Sequence, residues 1–160
     1  MADEVFRRME KKDVAKVAQL ERLCFSMPWS ERAIAGELKN KAARYCVLER
    51  DGEIIAYAGM WIVFNEAHIT NVAVAPDYRR QGVGFMMMCC MMKLALSLGA
   101  SEMTLEVRER NFAAQALYAK CRFERAGLRP KYYQDTGEGA IILWNRDIGS
   151  FVDDMCIREE

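Results

Sequence analysis

The stretch Val72-Ala73-Val74-Ala75-Pro76-Asp77-Tyr78-Arg79-Arg80-Gln81-Gly82-Val83-Gly84 sets the reading of this 160-residue chain. Small apolar residues run into a proline, which cannot continue a central strand, and a loop containing two glycines then opens an almost wholly apolar segment. A strand, a glycine loop and a helix in that order place unpaired backbone N–H groups and the positive end of a helix dipole together, which is the chemistry of a pyrophosphate site. Gly82 and Gly84 allow phosphate oxygens to approach the backbone, and Arg79 and Arg80 add positive charge. Other phosphate loops do not fit: G-x-x-x-x-G-K-[ST] is absent, and G-x-G-x-x-G breaks off at Met87. Taken alone, the loop also reads as an ordinary strand-to-helix connection with solvated arginines.

From Val83 to Leu98 only Gly84, Lys93 and Ser97 interrupt the apolar residues. The run is shorter than the roughly 20 residues a membrane span needs, and Gly99 suits a helix C-cap, so it reads as a buried helix. Working outward, Val5 to Met9 reads as a strand and Asp13 to Leu23 as a helix with an apolar stripe at Val14, Val17, Ala18, Leu20 and Leu23. Ser30 is the expected N-cap of a second helix. Arg44 to Glu49 and Ile54 to Phe64 read as strands of a hairpin turning at Asp51-Gly52, followed by a strand from His68 to Val74. Beyond Gly99 come a strand at Met103 to Val107, a helix at Asn111 to Lys120, and closing strands at Phe123 to Gly127 and Ala140 to Trp144. That order implies a mixed α/β sheet packed by helices.

A second cluster carries chemistry. Alternation along the strand Leu105-Glu106-Val107-Arg108 sends Glu106 and Arg108 to one face, and Asn111 and Tyr118, two turns apart, share a face of the next helix. A carboxylate and a phenol can thus converge on one cleft, although a surface glutamate and a core tyrosine are the commoner fates of such residues.

Lysine plus arginine number 23 and aspartate plus glutamate 23, so bulk charge gives no support to a nucleic-acid or membrane-surface partner. Six cysteines without a C-x-x-C pair, beside one histidine, do not make a zinc site at the usual spacings. An N-terminus without an apolar signal segment, together with unpaired cysteines, leads us to expect a cytoplasmic, metal-free protein.

These residues resemble a known family. The segment Arg79-Arg80-Gln81-Gly82-Val83-Gly84 fits the acetyl-CoA loop of the GNAT acetyltransferases, [RQ]-x-x-G-x-[GA]. The block L-E-V-R-x-x-N-x-x-A-x-x-L-Y, the Pro28-Trp29-Ser30-Glu31 segment and the late P-K-Y-Y-x-D are similar to the bacterial ribosomal-protein-alanine N-acetyltransferases of the RimI type. The resemblance runs from about Val5 to Ile148. It implies the GNAT fold, an α/β (α+β) architecture with a mixed, mostly antiparallel, splayed central sheet and helices on both faces. Residues 1–148 would form the acetyltransferase domain and 149–160 a tail that could be partly ordered. It further implies that Val72, Ala73 and Val74 hold the acetyl and pantetheine groups, that the Arg79 to Phe85 segment (Arg79, Arg80, Gln81, Gly82, Val83, Gly84, Phe85) holds the pyrophosphate, and that Asn111 also touches acetyl-CoA. Glu106 would be the general base and Tyr118 the general acid. Trp29, Tyr132 and Tyr133 could wall a slot for a peptide N-terminus, or could simply pack. The implied substrate is a protein N-terminus, foremost the N-terminal alanine of a small-subunit ribosomal protein. A small-molecule amine, a lysine, or a non-catalytic acetyl-CoA-binding role remain alternatives.

The chain also departs from the family. L-Y-x-x-x-G-F becomes Leu117-Tyr118-Ala119-Lys120-Cys121-Arg122-Phe123, so Arg122 must carry a left-handed conformation or the helix must end differently. Phe85, Cys89, Met92 and Leu96 add an apolar stripe to the cofactor helix, read as either a protein contact surface or a deeper core. His68, at a strand start, reads as a strand-end or cleft-wall residue.

Overall fold

A computed structural model describes residues 3–156 of the chain. Among them are seven strands and five α-helices: β1 (Glu4–Arg8), α1 (Val14–Cys24), α2 (Glu31–Glu37), β2 (Ala43–Arg50), β3 (Glu53–Val63), β4 (Glu66–Val74), α3 (Val83–Ser97), β5 (Glu102–Arg108), α4 (Phe112–Lys120), β6 (Glu124–Arg129), β7 (Ala140–Asn145) and α5 (Ile148–Phe151). The strands hydrogen-bond in the order β1-β2-β3-β4-β5-β7-β6. Pairs β1/β2, β2/β3, β5/β7 and β6/β7 are antiparallel and β4/β5 is parallel, so the α/β sheet is mixed and mostly antiparallel. None of the described helices is long and apolar enough to cross a membrane.

Local chemistry fixes the boundaries. Asp51 and Gly52 both take positive φ, 52° and 83°, as a two-residue turn between right-twisted antiparallel strands requires. Ser30 caps α2 by accepting from the Ala33 N–H at 3.1 Å. At the end of α3, Gly99 (φ 94°) donates to Leu96 O and Ala100 donates to Ala95 O, the paired bonds of a Schellman stop.

The chain divides into two compact units, Met1–Trp61 with Thr70–Met91, and Ile62–Ile69 with Met92–Glu160. In the first, α1 and α2 bury Val17, Ala18 and Ile34 in one apolar cluster with Tyr45, Val47 and Tyr57 from β2 and β3. Gly59 lies opposite Tyr45 in the β2/β3 register, and a Cβ there would sit 2.2 Å from the tyrosine ring, so the absent side chain is what admits the ring. The ring's hydroxyl bonds Thr70 Oγ1 at 2.7 Å and donates to Asn71 Oδ1 at 3.1 Å.

In the second unit β5 alternates cleanly: Met103, Leu105 and Val107 are buried while Thr104, Glu106 and Arg108 are half-buried. Two stretches that the sequence left open are ordered as follows. The segment from 149 onward is helical as far as Cys156, with α5 followed by a π-helical turn (Val152–Cys156), and it buries Phe151, Val152 and Cys156. Phe151 is apolar enough to repay ordering, so these residues join the core; residues 157–160 lie outside the described part. The apolar stripe of α3 is covered in part. Cys89 and Met92 are buried and Phe85 and Leu96 half-buried, which matches a deeper core at its middle positions.

Candidate active site

The first unit carries the glycine loop. β4 buries Asn71 and Ala73 and leaves Val72 and Val74 half-buried, then a 3₁₀ turn at Pro76–Tyr78 leads to Arg79. Arg80 (φ 62°) and Gly82 (φ 80°) both adopt left-handed backbone ahead of α3. Left-handed residues among right-handed ones gather successive N–H groups into an anion-binding concavity. No atom lies within 4 Å of where a Gly82 Cβ would stand, so the backbone is open to a ligand there. Met86 N–H is bonded to Gly82 O at 3.0 Å, and the amides of Val83 and Gly84 precede that first helical bond. Arg79 is turned back, its Nε donating to Val74 O at 3.2 Å, and Gln81 Nε2 donates to Asp77 O at 3.1 Å. These two side chains therefore brace the loop, while Arg80 is exposed. The open left-handed loop at a helix start and the exposed guanidinium fit the pyrophosphate end of acetyl-CoA.

Trp29 is fixed by a buried carboxylate in the same unit. Glu21 on α1, 1 % exposed, accepts from Trp29 N–H at 2.8 Å, from Asn71 Nδ2 at 3.5 Å and from the Tyr57 hydroxyl. The indole packs against Tyr45 with ring centroids 6.4 Å apart.

The second unit carries the carboxylate and the phenol. The β4/β5 ladder runs Glu66↔Glu102, Ala67↔Met103, His68↔Thr104, and Glu106 stands two residues beyond Thr104 on the same side of β5. His68 Nε2 and Glu106 Oε2 are 2.8 Å apart. The sequence marked this histidine as a strand-end or cleft-wall residue and gave no sign of its carboxylate partner. Both residues have the parity of their strands' half-buried faces, but parity alone does not reveal which residues of two neighbouring strands lie opposite each other.

Tyr118 owes its setting to the end of α4. Phe123 N–H donates to Tyr118 O and Arg122 N–H to Ala119 O, a Schellman cap with Arg122 (φ 63°) in the left-handed position. The apolar contact that accompanies such a cap is here the Tyr118–Phe123 ring pair, centroids 5.9 Å apart. Arg122 thus bears the conformation glycine would take, and its guanidinium reaches Asp154 at 2.8 Å and lies over the Phe151 ring. Burial pushes the Tyr118 phenol well above its ordinary range, with Cys121 and Tyr133 adding to the rise, so it keeps its proton throughout neutral pH.

Asn111 caps the other end of α4, its Oδ1 accepting from Ala114 N–H at 3.2 Å, so a cofactor contact would come from its Nδ2. The loop 130–139 is stitched to the end of β5. Arg108 donates from both terminal nitrogens to Asp135 at 2.9 and 3.0 Å and stacks over the Tyr133 ring, while Glu109 Oε1 accepts from Gly139 N–H. Tyr133 is half-buried, and burial pushes its phenol up to about 12, with Arg108 opposing and Glu106 reinforcing the rise. Tyr132 is exposed and packs edge-on against Tyr133.

Residues 14–123 match the model of the acetyltransferase (GNAT) family. An Escherichia coli (strain K12) [ribosomal protein bS18]-alanine N-acetyltransferase is 35% identical over 139 residues, 84% of this chain and 92% of the relative. A Bacillus subtilis (strain 168) protein, provisionally described as an enzyme of the same activity, is 39% identical over 86% of this chain and 92% of its own length. Among solved structures, the Escherichia coli ribosomal-protein-S18-alanine N-acetyltransferase superposes with a TM-score of 0.82 at 32% identity, covering 89% of this chain and 92% of that one. With the family model spanning more than half of the chain and these relatives matched over most of their lengths, the chain belongs to the acetyltransferase (GNAT) family, whose members are acetyl-CoA-dependent.

Proposed function

We propose that this enzyme transfers the acetyl group of acetyl-CoA to the N-terminal α-amine of a protein, with the N-terminal alanine of a small-subunit ribosomal protein as the favoured substrate. The observation that carries the reading is likeness over most of both chains to enzymes named for that reaction on ribosomal protein bS18. Such a substrate also places the enzyme in the cytoplasm, where ribosomal proteins are made.

When bound, acetyl-CoA supplies an activated thioester. The Val72–Ala73–Val74 backbone and the Arg80–Gly82 loop with the start of α3 would hold it, and Asn111 Nδ2 would add a contact. Only a neutral amine attacks. An α-amine, with a pKa of roughly 7.7–8.0, is partly neutral near pH 7, whereas a lysine near 10.4 is almost wholly charged. Glu106 accepts the proton that the amine must shed, and Tyr118, a phenol that is protonated at neutral pH, donates a proton to the departing thiolate. A strand N–H, that of Val74, would polarise the acetyl carbonyl. Trp29 on its pinned loop and Tyr133 with Tyr132 would contact the peptide. The thiols of Cys46 and Cys121 are pushed up to about 11 and about 12 by burial, and that of Cys24 is also raised. Protonated thiols are poor nucleophiles, which favours direct attack by the amine over an acetyl-cysteine route. Residues 14–123, the stretch that matches the family, cross both compact units, so we read the two units as parts of one catalytic domain.

The test is acetyl-CoA-dependent acetylation of two peptides, one beginning Ala-Arg with a free N-terminus and one N-blocked with an internal lysine. The first alone should turn over. Glu106→Gln and Tyr118→Phe should each lower its kcat by about 10² or more. Turnover of the lysine peptide alone would overturn the substrate, and binding of acetyl-CoA without turnover of either would point to a small-amine enzyme or a non-catalytic binder.

A further inference from the structure

We infer that His68 is a positioning residue for Glu106: its Nε2–H holds one carboxylate oxygen so that the other faces the incoming amine. The inference rests on the reading of Glu106 as the base. The contact, 2.8 Å between Nε2 and Oε2, is short enough for a charge-assisted hydrogen bond. An ionised carboxylate only accepts, so the proton in this bond belongs to the imidazole.

The neighbours of Glu106 on the same side of β5 are committed elsewhere. Thr104 donates its hydroxyl proton to Leu143 O at 2.9 Å, and Arg108 gives both terminal nitrogens to Asp135. Neither supplies the bond that orients the carboxylate; His68 does. The last pair of the β4/β5 ladder, His68↔Thr104, fixes the imidazole one strand away and one step back from Glu106. The order of exposure suits the task. The Glu106 side chain is 16 % exposed and that of His68 38 %, so the imidazole is the more solvent-facing member of the pair.

A flexible glutamate samples several rotamers, and only some present an oxygen to an amine arriving along a fixed path. Anchoring Oε2 reduces that search and leaves Oε1 as the proton acceptor. The proton moves from the amine nitrogen to Oε1, while the His68 N–H bond stays intact throughout and no electron pair of the imidazole takes part. Such a role should be read in kcat rather than in substrate affinity, because the imidazole acts through the carboxylate.

The experiment compares kcat and KM of the parent, Glu106→Gln, His68→Ala, His68→Gln and the Glu106→Gln/His68→Ala double variant, with the Ala-Arg peptide and saturating acetyl-CoA. Melting temperatures are measured beside them. His68→Ala should lower kcat about tenfold with both KM values within about twofold, and His68→Gln, whose amide N–H reaches the same oxygen, should recover most of that loss. The double variant should be no slower than Glu106→Gln alone, since one residue acts through the other. A His68→Ala enzyme with parental kcat, a change confined to KM, or a double variant slowed by the product of the single effects would overturn the proposal and leave the base assignment standing. A His68→Ala loss as large as that of Glu106→Gln, not recovered by glutamine, would make His68 itself the proton acceptor and overturn it as well. A Glu106→Gln enzyme as fast as the parent would overturn the base assignment and this proposal together.

Discussion

Arg122 sits at φ 63°, in backbone that costs an L-residue roughly 1–2 kcal/mol, at the stop of the helix that carries Tyr118. The sequence presented a choice between that strain and a different helix end, and the two Schellman bonds settle it: the helix stops where a glycine would have stopped it. What made arginine tolerable was not legible, because the partner of its guanidinium, Asp154, and the ring beneath it, Phe151, lie about 30 residues on, in a segment read as a tail. Replacing the side chain separates the backbone effect from these contacts. Arg122→Ala and Arg122→Gly lose the same ion pair and the same ring contact, and differ only in their tolerance of positive φ. The glycine variant should be the more stable of the two by about 1 kcal/mol in urea unfolding. Equal stabilities would mean that the chain relaxes out of the left-handed conformation once the arginine is gone.

At the scale of elements, the periodic and punctuated parts of the sequence were readable and the long-range pairings were not. Ser30, Asp51-Gly52 and Gly99 mark a helix start, a hairpin and a helix stop because each satisfies a local geometric demand that few other residues meet. Glu21 shows the opposite case. It lies within the helical pattern of α1 and looks like any solvated glutamate, yet it is buried and accepts from three groups, on the Trp29 loop, β3 and β4. Its partners lie 8, 36 and 50 residues away, beyond the reach of any local pattern. Glu21→Ala would leave the Trp29 amide, the Tyr57 hydroxyl and the Asn71 amide without their acceptor in a dry site. We expect a loss of about 3 kcal/mol or more, measured by denaturant unfolding. Glu21→Gln keeps one acceptor oxygen and should lose less. A near-neutral Glu21→Ala protein would show that water replaces the carboxylate, and that the Trp29 loop is not pinned from beneath.

Across the whole molecule, the candidate site was legible where a motif combined residue type with spacing, and illegible where it depended on strand register. Glu106 and Tyr118 could be singled out from one block of sequence, whereas the contact of His68 with Glu106 follows from a parallel ladder that no single segment encodes. The apolar stripe of α3 left two readings open for a related reason: a helix that is apolar nearly all round does not say which side is covered. Burial of so many phenols and thiols has a consequence for the molecule as a whole. The thiols of Cys46 and Cys121 rise from an ordinary 9.0 to about 11 and about 12, and the phenol of Tyr133 from 10.0 to about 12; Tyr45, Tyr57 and Tyr118 are raised further, burial being the first cause in every case. Each group binds its proton more tightly when folded than when unfolded. The stability this represents is therefore fully present below the unfolded values, 9.0 for a thiol and 10.0 for a phenol, and is lost as pH rises through the folded ones. The urea midpoint should accordingly hold steady up to about pH 9 and then fall continuously toward pH 12. Cys121→Ala removes one of the contributing groups, so its midpoint should fall less over the lower part of that range than the parent's, even if its midpoint at neutral pH is reduced by the cavity. A parent midpoint that stays flat to about pH 11 would mean that these thiols and phenols exchange with solvent in the folded protein.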